Sequence, residues 1–97
     1  MNEPEEDVAV VDDPARHRFE AVVGGEVGFL DYRKVGDLLT LVHTEVAPAL
    51  RGRRVGEKLV RFALEHARTH GLAVKPLCPY VRKWLGEHPE FAPLVRE

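Results

Sequence analysis

The chain has 97 residues, 44% of them hydrophobic and 31% charged, with a formal net charge of −2. That length accommodates one small domain with a single core, and the charge argues against a general nucleic-acid binder. No apolar run is long enough to span a bilayer, and the acidic start (Glu3, Glu5, Glu6, Asp7) is the opposite of a signal peptide's basic one. The single cysteine, Cys78, excludes an internal disulfide framework, so core burial must hold the fold. The chain therefore reads as one cytoplasmic domain over residues 1–97, with 1–7 as a frayed end.

Val8 to Val11 is a short apolar run stopped by Asp12-Asp13-Pro14, as in an edge strand. His17 to Val23 alternates Phe19, Ala21 and Val23 with Arg18 and Glu20, and Gly24-Gly25 then supplies a hairpin turn. In the strand Glu26 to Val35, Val27, Phe29 and Asp31 share one face and Gly28, Leu30 and Tyr32 the other. Gly36-Asp37 turns into Leu38 to Val46, where alternation places Leu39, Leu41 and His43 on one side. Pro48 ends this strand because proline cannot donate to a ladder.

From Val55 the period becomes helical, through Leu59, Phe62, Ala63 and Ala67, until His70-Gly71 closes the helix. Leu72 to Leu77 reads as a short strand, and Tyr80 to Gly86 as a short helix opened by Pro79, with Val81, Trp84 and Leu85 inward. Phe91 and Leu94 cover the core from the tail. The predicted order is β-β-β-β-α-β-α: an α+β fold with a mixed, mostly antiparallel sheet and one right-handed crossover.

Residues 51–61 carry Arg51, Arg53, Arg54, Lys58 and Arg61 against the single acid Glu57. A basic, glycine-containing segment that opens a helix after a strand has the outline of a pyrophosphate site. The first N–H groups of a helix lack intrahelical partners, and they lie at the positive end of its dipole. The alternative is a solvated basic loop whose glycines serve the turn.

The order of elements favours the first reading. "RGRRVGEKLV", between a strand ending "HTEVAP" and an amphipathic helix, resembles the acyl-CoA-binding motif of the GNAT superfamily of N-acetyltransferases, Gln/Arg-x-x-Gly-x-Gly/Ala. Arg51 matches the first position and Gly56 the last, whereas Arg54 stands where the central glycine is usual. "KPLCPYVRKWLGEHPEF" further resembles the ending of a small single-domain branch of that superfamily, so the likeness covers about residues 17–95.

The resemblance implies a minimal GNAT-like fold that binds acetyl-CoA or coenzyme A and transfers acetyl to an unidentified amine. It implies pyrophosphate contacts from Arg51, Gly52, Arg53, Arg54, Val55, Gly56 and Glu57. It also implies pantetheine contacts from Glu45, Val46 and Ala47. Asp12 to Arg16 leaves no room for the helices that larger members place between their first two strands.

Three residues are candidates for the chemistry. Cys78 stands just before a helix N-terminus that favours thiolate, and the resemblance implies a place near the thioester and hence a role as acyl-carrying nucleophile; the alternative is a buried structural thiol. His43 and Glu45 are alternative general bases. His66 and His70 lie one helical turn apart without a third ligand at matching spacing, so no metal is expected. Two other functions compete: a coenzyme A-binding or regulatory module without catalysis, and a basic-loop protein that binds RNA or another anion. The last fits poorly, because aromatic residues do not interleave with the arginines.

Overall fold

In the computed structural model, which describes residues 8–96, β1 (Val10–Asp13), β2 (Arg18–Val23), β3 (Glu26–Val35) and β4 (Leu38–Val46) form an antiparallel meander. Helix α1 (Val55–Thr69) crosses to β5 (Ala73–Pro76), which lies parallel beside β4 and completes the order β1-β2-β3-β4-β5. Helix α2 (Pro79–Gly86) and 3₁₀ helices at Pro48–Leu50 and Pro89–Leu94 complete the described chain. The expected α+β architecture is present. The expectation for residues 1–7 lies outside the described residues.

The first hairpin turns at Gly24 (φ +56°) and Gly25 (φ +83°), values that only glycine adopts cheaply in succession. The edge strand starts later than its apolar residues suggest and takes in Asp12 and Asp13. Asp12 pairs with Phe19 in the ladder and accepts a hydrogen bond from the Tyr32 hydroxyl at 2.6 Å, which satisfies the acid at the rim of the core.

One face of the sheet is buried. Phe19, Ala21, Leu30, Tyr32, Leu39 and Leu41 meet Val55, Leu59, Val60, Ala63, Leu64 and Ala67 of α1. The Phe19 ring lies 4.7 Å from Tyr32 and 5.4 Å from Phe62, and each such fully buried side chain contributes roughly 1.5–3 kcal/mol. Val81, Trp84 and Phe91 extend this core beneath α1. Past Phe91 the tail runs along β5, where the Arg96 N–H donates to Val74 O at 2.7 Å. Among the described residues no helix covers the opposite face. Only residues 14–17 connect β1 to β2, and Val11 and Val22 on that face are 54% and 59% exposed.

The core-facing alternation of β4 runs through Leu39 and Leu41 and then breaks. Asp31 pairs with His43 but Tyr32 pairs with Leu41, so Val42 is an extra residue, a β-bulge. The bulge reverses the phase of everything after it. His43 and Glu45 are exposed, while Thr44 and Val46 are half-buried on the core side. The expectation that His43 shares a face with Leu39 and Leu41 is therefore corrected, because alternation holds only while the register does.

Candidate active site

The pairing of β4 with β5 spans only Leu38–Leu41 and Ala73–Pro76. It closes where the N–H groups of Leu77 and Cys78 both donate to Leu41 O, at 3.0 and 3.1 Å. Beyond that point Pro79 starts α2 and the chain leaves the sheet, while β4 continues to Val46 paired with β3 only. The strands splay at the bulge, which leaves one edge of β4 facing an opening.

Two outward residues sit at this point. His43 Nε2 lies 3.2 Å from Glu45 Oε1. A carboxylate only accepts, so in the neutral ring this contact favours the tautomer with the hydrogen on Nε2 and the lone pair on Nδ1.

At the far end of the opening, the 3₁₀ helix Pro48–Leu50 anchors the arginine loop through buried Leu50. Gly52 takes φ +83°, and Arg54, the residue before α1, takes a left-handed conformation at φ 63°, ψ 21°. No side chain caps this helix, and its first intrahelical bond runs from Lys58 N to Arg54 O at 3.0 Å. The N–H groups of Val55, Gly56 and Glu57 precede that bond, which is the arrangement that receives an anion.

Arg54 thus adopts the conformation for which glycine is suited, at a cost of roughly 1–2 kcal/mol to an L-residue. Arg54→Gly should be more stable than Arg54→Ala by about 1 kcal/mol in denaturant titration. Both variants lose the same side chain, so only the backbone differs. In an ordinary helix the order is the reverse.

Helix α2 forms the wall across from the loop. Tyr80 lies against Gly56, and a Cβ on that glycine would come within 3.1 Å of the Tyr80 hydroxyl. Burial, and then the negative charges of Glu57, Glu87 and Cys78, push the phenol above its ordinary 10.0, so it remains a proton donor at neutral pH.

Cys78 caps α2 and is 4% exposed. Burial raises its pKa, but hydrogen bonds from the Thr44 hydroxyl (Oγ1 to Sγ, 3.5 Å) and from the N–H groups of Val81, Tyr80 and Thr44 outweigh it. The net shift is downward from 9.0, as expected at a helix N-terminus. A depressed folded-state pKa stabilises the protein above the ordinary thiol value, and that contribution disappears as pH falls through the lowered one. The melting-temperature gap between the parent protein and Cys78→Ala should therefore widen as pH rises towards 9 and then level off. A gap independent of pH would leave Cys78 a plain packing residue.

Between these walls lies a cavity of about 730 Å³, within the range of small-molecule sites. Of the residues the sequence singles out, it brings together His43, Glu45, Val46, Arg51, Gly52, Arg54, Val55, Gly56 and Glu57. Ala47, Arg53 and Cys78 are not in its lining. Thr44, Leu50 and Tyr80 are. Strand alternation alone does not place Thr44 there, since without the bulge it would face away. Among the described residues no group of three His, Cys, Asp or Glu is arranged to hold a metal, and no helix is long and apolar enough to cross a membrane.

The family model for GCN5-related N-acetyl-transferase matches residues 18–94. Protein NATD1 of Xenopus tropicalis is 30% identical to the chain, over 90% of the chain and 83% of its own length. Protein NATD1 of Homo sapiens is 32% identical, over 84% of the chain and 75% of its own length. A solution structure of a GCN5-like protein from Staphylococcus aureus has the same fold, with a TM-score of 0.68 and 21% identity, covering 97% of this chain and 91% of that one. The match to the family model spans β2 to β4, the splay, the arginine loop and α2, and the chain belongs to the GCN5-related N-acetyltransferase family.

Proposed function

We propose that the protein is an N-acetyltransferase that moves acetyl from acetyl-CoA to a primary amine. The observation that carries this reading is a cavity that joins an uncapped helix N-terminus, flanked by Arg51 and Arg54, to a splayed strand bearing an imidazole. The residues present fit coenzyme A. Gly52 and Arg54 turn the loop so that amides at the start of α1 face one side, and a Cβ at Gly56 would intrude on the cavity wall.

In this reading the backbone N–H groups of Val55, Gly56 and Glu57 hold the pyrophosphate, and the Arg51 and Arg54 side chains add charge beside it. Arg53 adds positive field from the same loop. The free edge of β4 from Thr44 to Ala47 pairs with the pantetheine amides as a sheet edge pairs with a strand.

The thioester supplies an activated acetyl group. The acceptor gives up a proton to His43 Nδ1, with Glu45 fixing the imidazole's tautomer. The amine nitrogen bonds to the acetyl carbon, the carbon–sulfur bond breaks, the sulfur takes the Tyr80 hydroxyl proton, and the second proton lost by the nitrogen restores that hydroxyl. Transfer is direct. Cys78, 4% exposed and held by Thr44 and the α2 amides, positions Thr44 and Tyr80 rather than carrying the acetyl group.

Acetyl-CoA should raise the melting temperature by several degrees at saturation. The absence of a shift with either acetyl-CoA or coenzyme A overturns the reading. Intact-mass measurement after incubation tests Cys78, because a stable acetyl adduct lost in Cys78→Ser would establish the covalent route instead. Binding without turnover on any amine would leave a coenzyme A-binding module.

A further inference from the structure

The uncovered face of the sheet holds a second hollow, of about 660 Å³, lined by Arg16, His17, Asp31, Arg33, Lys34 and Val42 among others. No residue lines both this hollow and the first cavity, but the two approach each other at the bulge. Val42 lines the outer hollow and His43 the inner one, and Asp31 is the cross-strand partner of His43. A single residue step along β4 thus separates the lining of the candidate cofactor cavity from that of an unassigned hollow.

The charges in that space are sorted along β3. Asp31 lies at the bulge end, and Arg33 and Lys34 lie beyond it, with Arg16 opposite. Arg16 is partly engaged, 3.8 Å from Asp13 and 3.6 Å from Glu20. Among the described residues Asp31, Arg33 and Lys34 make no ion pair. Arg18, the cross-strand neighbour of Asp31, is turned away, with Nε 2.7 Å from Glu20 and its guanidinium 4.4 Å over the Phe29 ring. The hollow therefore presents one carboxylate at the bulge, cross-strand from His43, and further out Arg33 and Lys34, of which Lys34 also lines a hollow beside α1. Two residues along a strand separate Asp31 from Arg33 by roughly 7 Å.

We propose that this outer hollow is the acceptor site, and that the acceptor is a small primary amine carrying a carboxylate or phosphate a few bonds from its nitrogen. The inference rests on the acetyl-transfer reading and specifies its second substrate. Asp31 attracts the ammonium group to the bulge, His43 Nδ1 takes its proton, and Arg33 and Lys34 hold the anionic group at the other end. An amine without a negative group leaves Arg33 and Lys34 unmatched, and a diamine places a second cation against them. The balanced reaction is acetyl-CoA plus R–NH₃⁺ giving R–NH–acetyl, coenzyme A thiol and one proton. That proton leaves through His43 to solvent.

The test compares four amines at fixed acetyl-CoA: 4-aminobutyrate, O-phosphoethanolamine, 1-aminobutane and putrescine. Acetylated product is measured by mass spectrometry, and thermal shift with acetyl-CoA is recorded on every sample. At least one of the two anionic amines is expected to exceed 1-aminobutane at least tenfold in kcat/KM. Which of the two is preferred distinguishes carboxylate from phosphate. Arg33→Glu combined with Lys34→Glu should lower the preferred anionic substrate at least tenfold and raise putrescine. Equal use of 1-aminobutane, preference for putrescine by the parent protein, or a charge reversal that changes all amines alike overturns the proposal. So does a full thermal shift with no acetylation of either anionic amine. Loss of the thermal shift itself would instead refute the acetyl-transfer reading.

Discussion

Gly56→Leu is expected to weaken coenzyme A binding by roughly 30–100-fold, about 2–2.7 kcal/mol, while the protein stays folded. That is the scale of one or two charge-assisted hydrogen bonds. The cause is steric. The new Cβ would lie 3.1 Å from the Tyr80 hydroxyl and 3.3 Å from its ring carbons, and the leucine branch would continue into the space the ring occupies. Either Tyr80 swings into the cavity or the side chain does, and both outcomes block the amides at the start of α1.

Stability should move the other way. Gly56 lies in the first turn of α1, and replacing a helical glycine removes a propensity cost of up to about 1 kcal/mol. Calorimetric titration with coenzyme A, alongside the melting temperature, separates the two effects. Unchanged affinity in the leucine variant would remove the arginine loop from the site. Gly56→Ala is the graded control. The hydroxyl it meets is the far end of a side chain that is 43% exposed, so a shift of a few tenths of an ångström relieves it.

Gly28→Val is expected to destabilise the fold by about 3 kcal/mol, the upper end for overpacking, and to lower the melting temperature by roughly 12–24 °C. Gly28 faces the core where α1 lies closest to β3. A Cβ there would be 2.9 Å from Val55 Cγ1 and 3.4 Å from Leu59 Cδ1, and both partners are buried. Neither can rotate away, since Val55 is β-branched within a helix and Leu59 is enclosed.

The helix must therefore lift. Val55 is its first residue, so lifting it moves the loop as well, and the surviving folded protein should also bind coenzyme A more weakly. Denaturant unfolding with and without ligand reads both quantities. A variant as stable as the parent would show that α1 does not rest on β3 at this glycine.

The hairpins and α1 could be read from the sequence because their signals are local. Gly24-Gly25 needs positive φ whatever surrounds it, and the apolar residues from Val55 to Ala67 fit a helical period and no other. The bulge at Val42 could not. "LLTLVHTEV" contains no glycine or proline, and nothing within it says that Tyr32 pairs with Leu41 while Asp31 pairs with His43. That fact belongs to the pairing of two strands, and it decides which of His43, Thr44 and Glu45 face which way.

The left-handed Arg54 is hidden for a related reason. Its own preferences oppose the conformation, which is imposed by the approach of the loop to α1. The packing of Tyr80 on Gly56 joins two elements far apart in the chain, so the sequence identified the loop without identifying its opposite wall.

The order in which the sheet can assemble has a consequence for the site. β1 to β4 pair with immediate neighbours and require only short loops to close. The parallel pairing of β4 with β5 joins Leu38 to Ala73 across the whole of α1, so it carries the largest loop-closure cost in the sheet and is expected to form late. The opening lies against that same seam. A ligand that spans it therefore fastens the last part to arrive, and amide exchange in β5 should slow on binding more than exchange in β2.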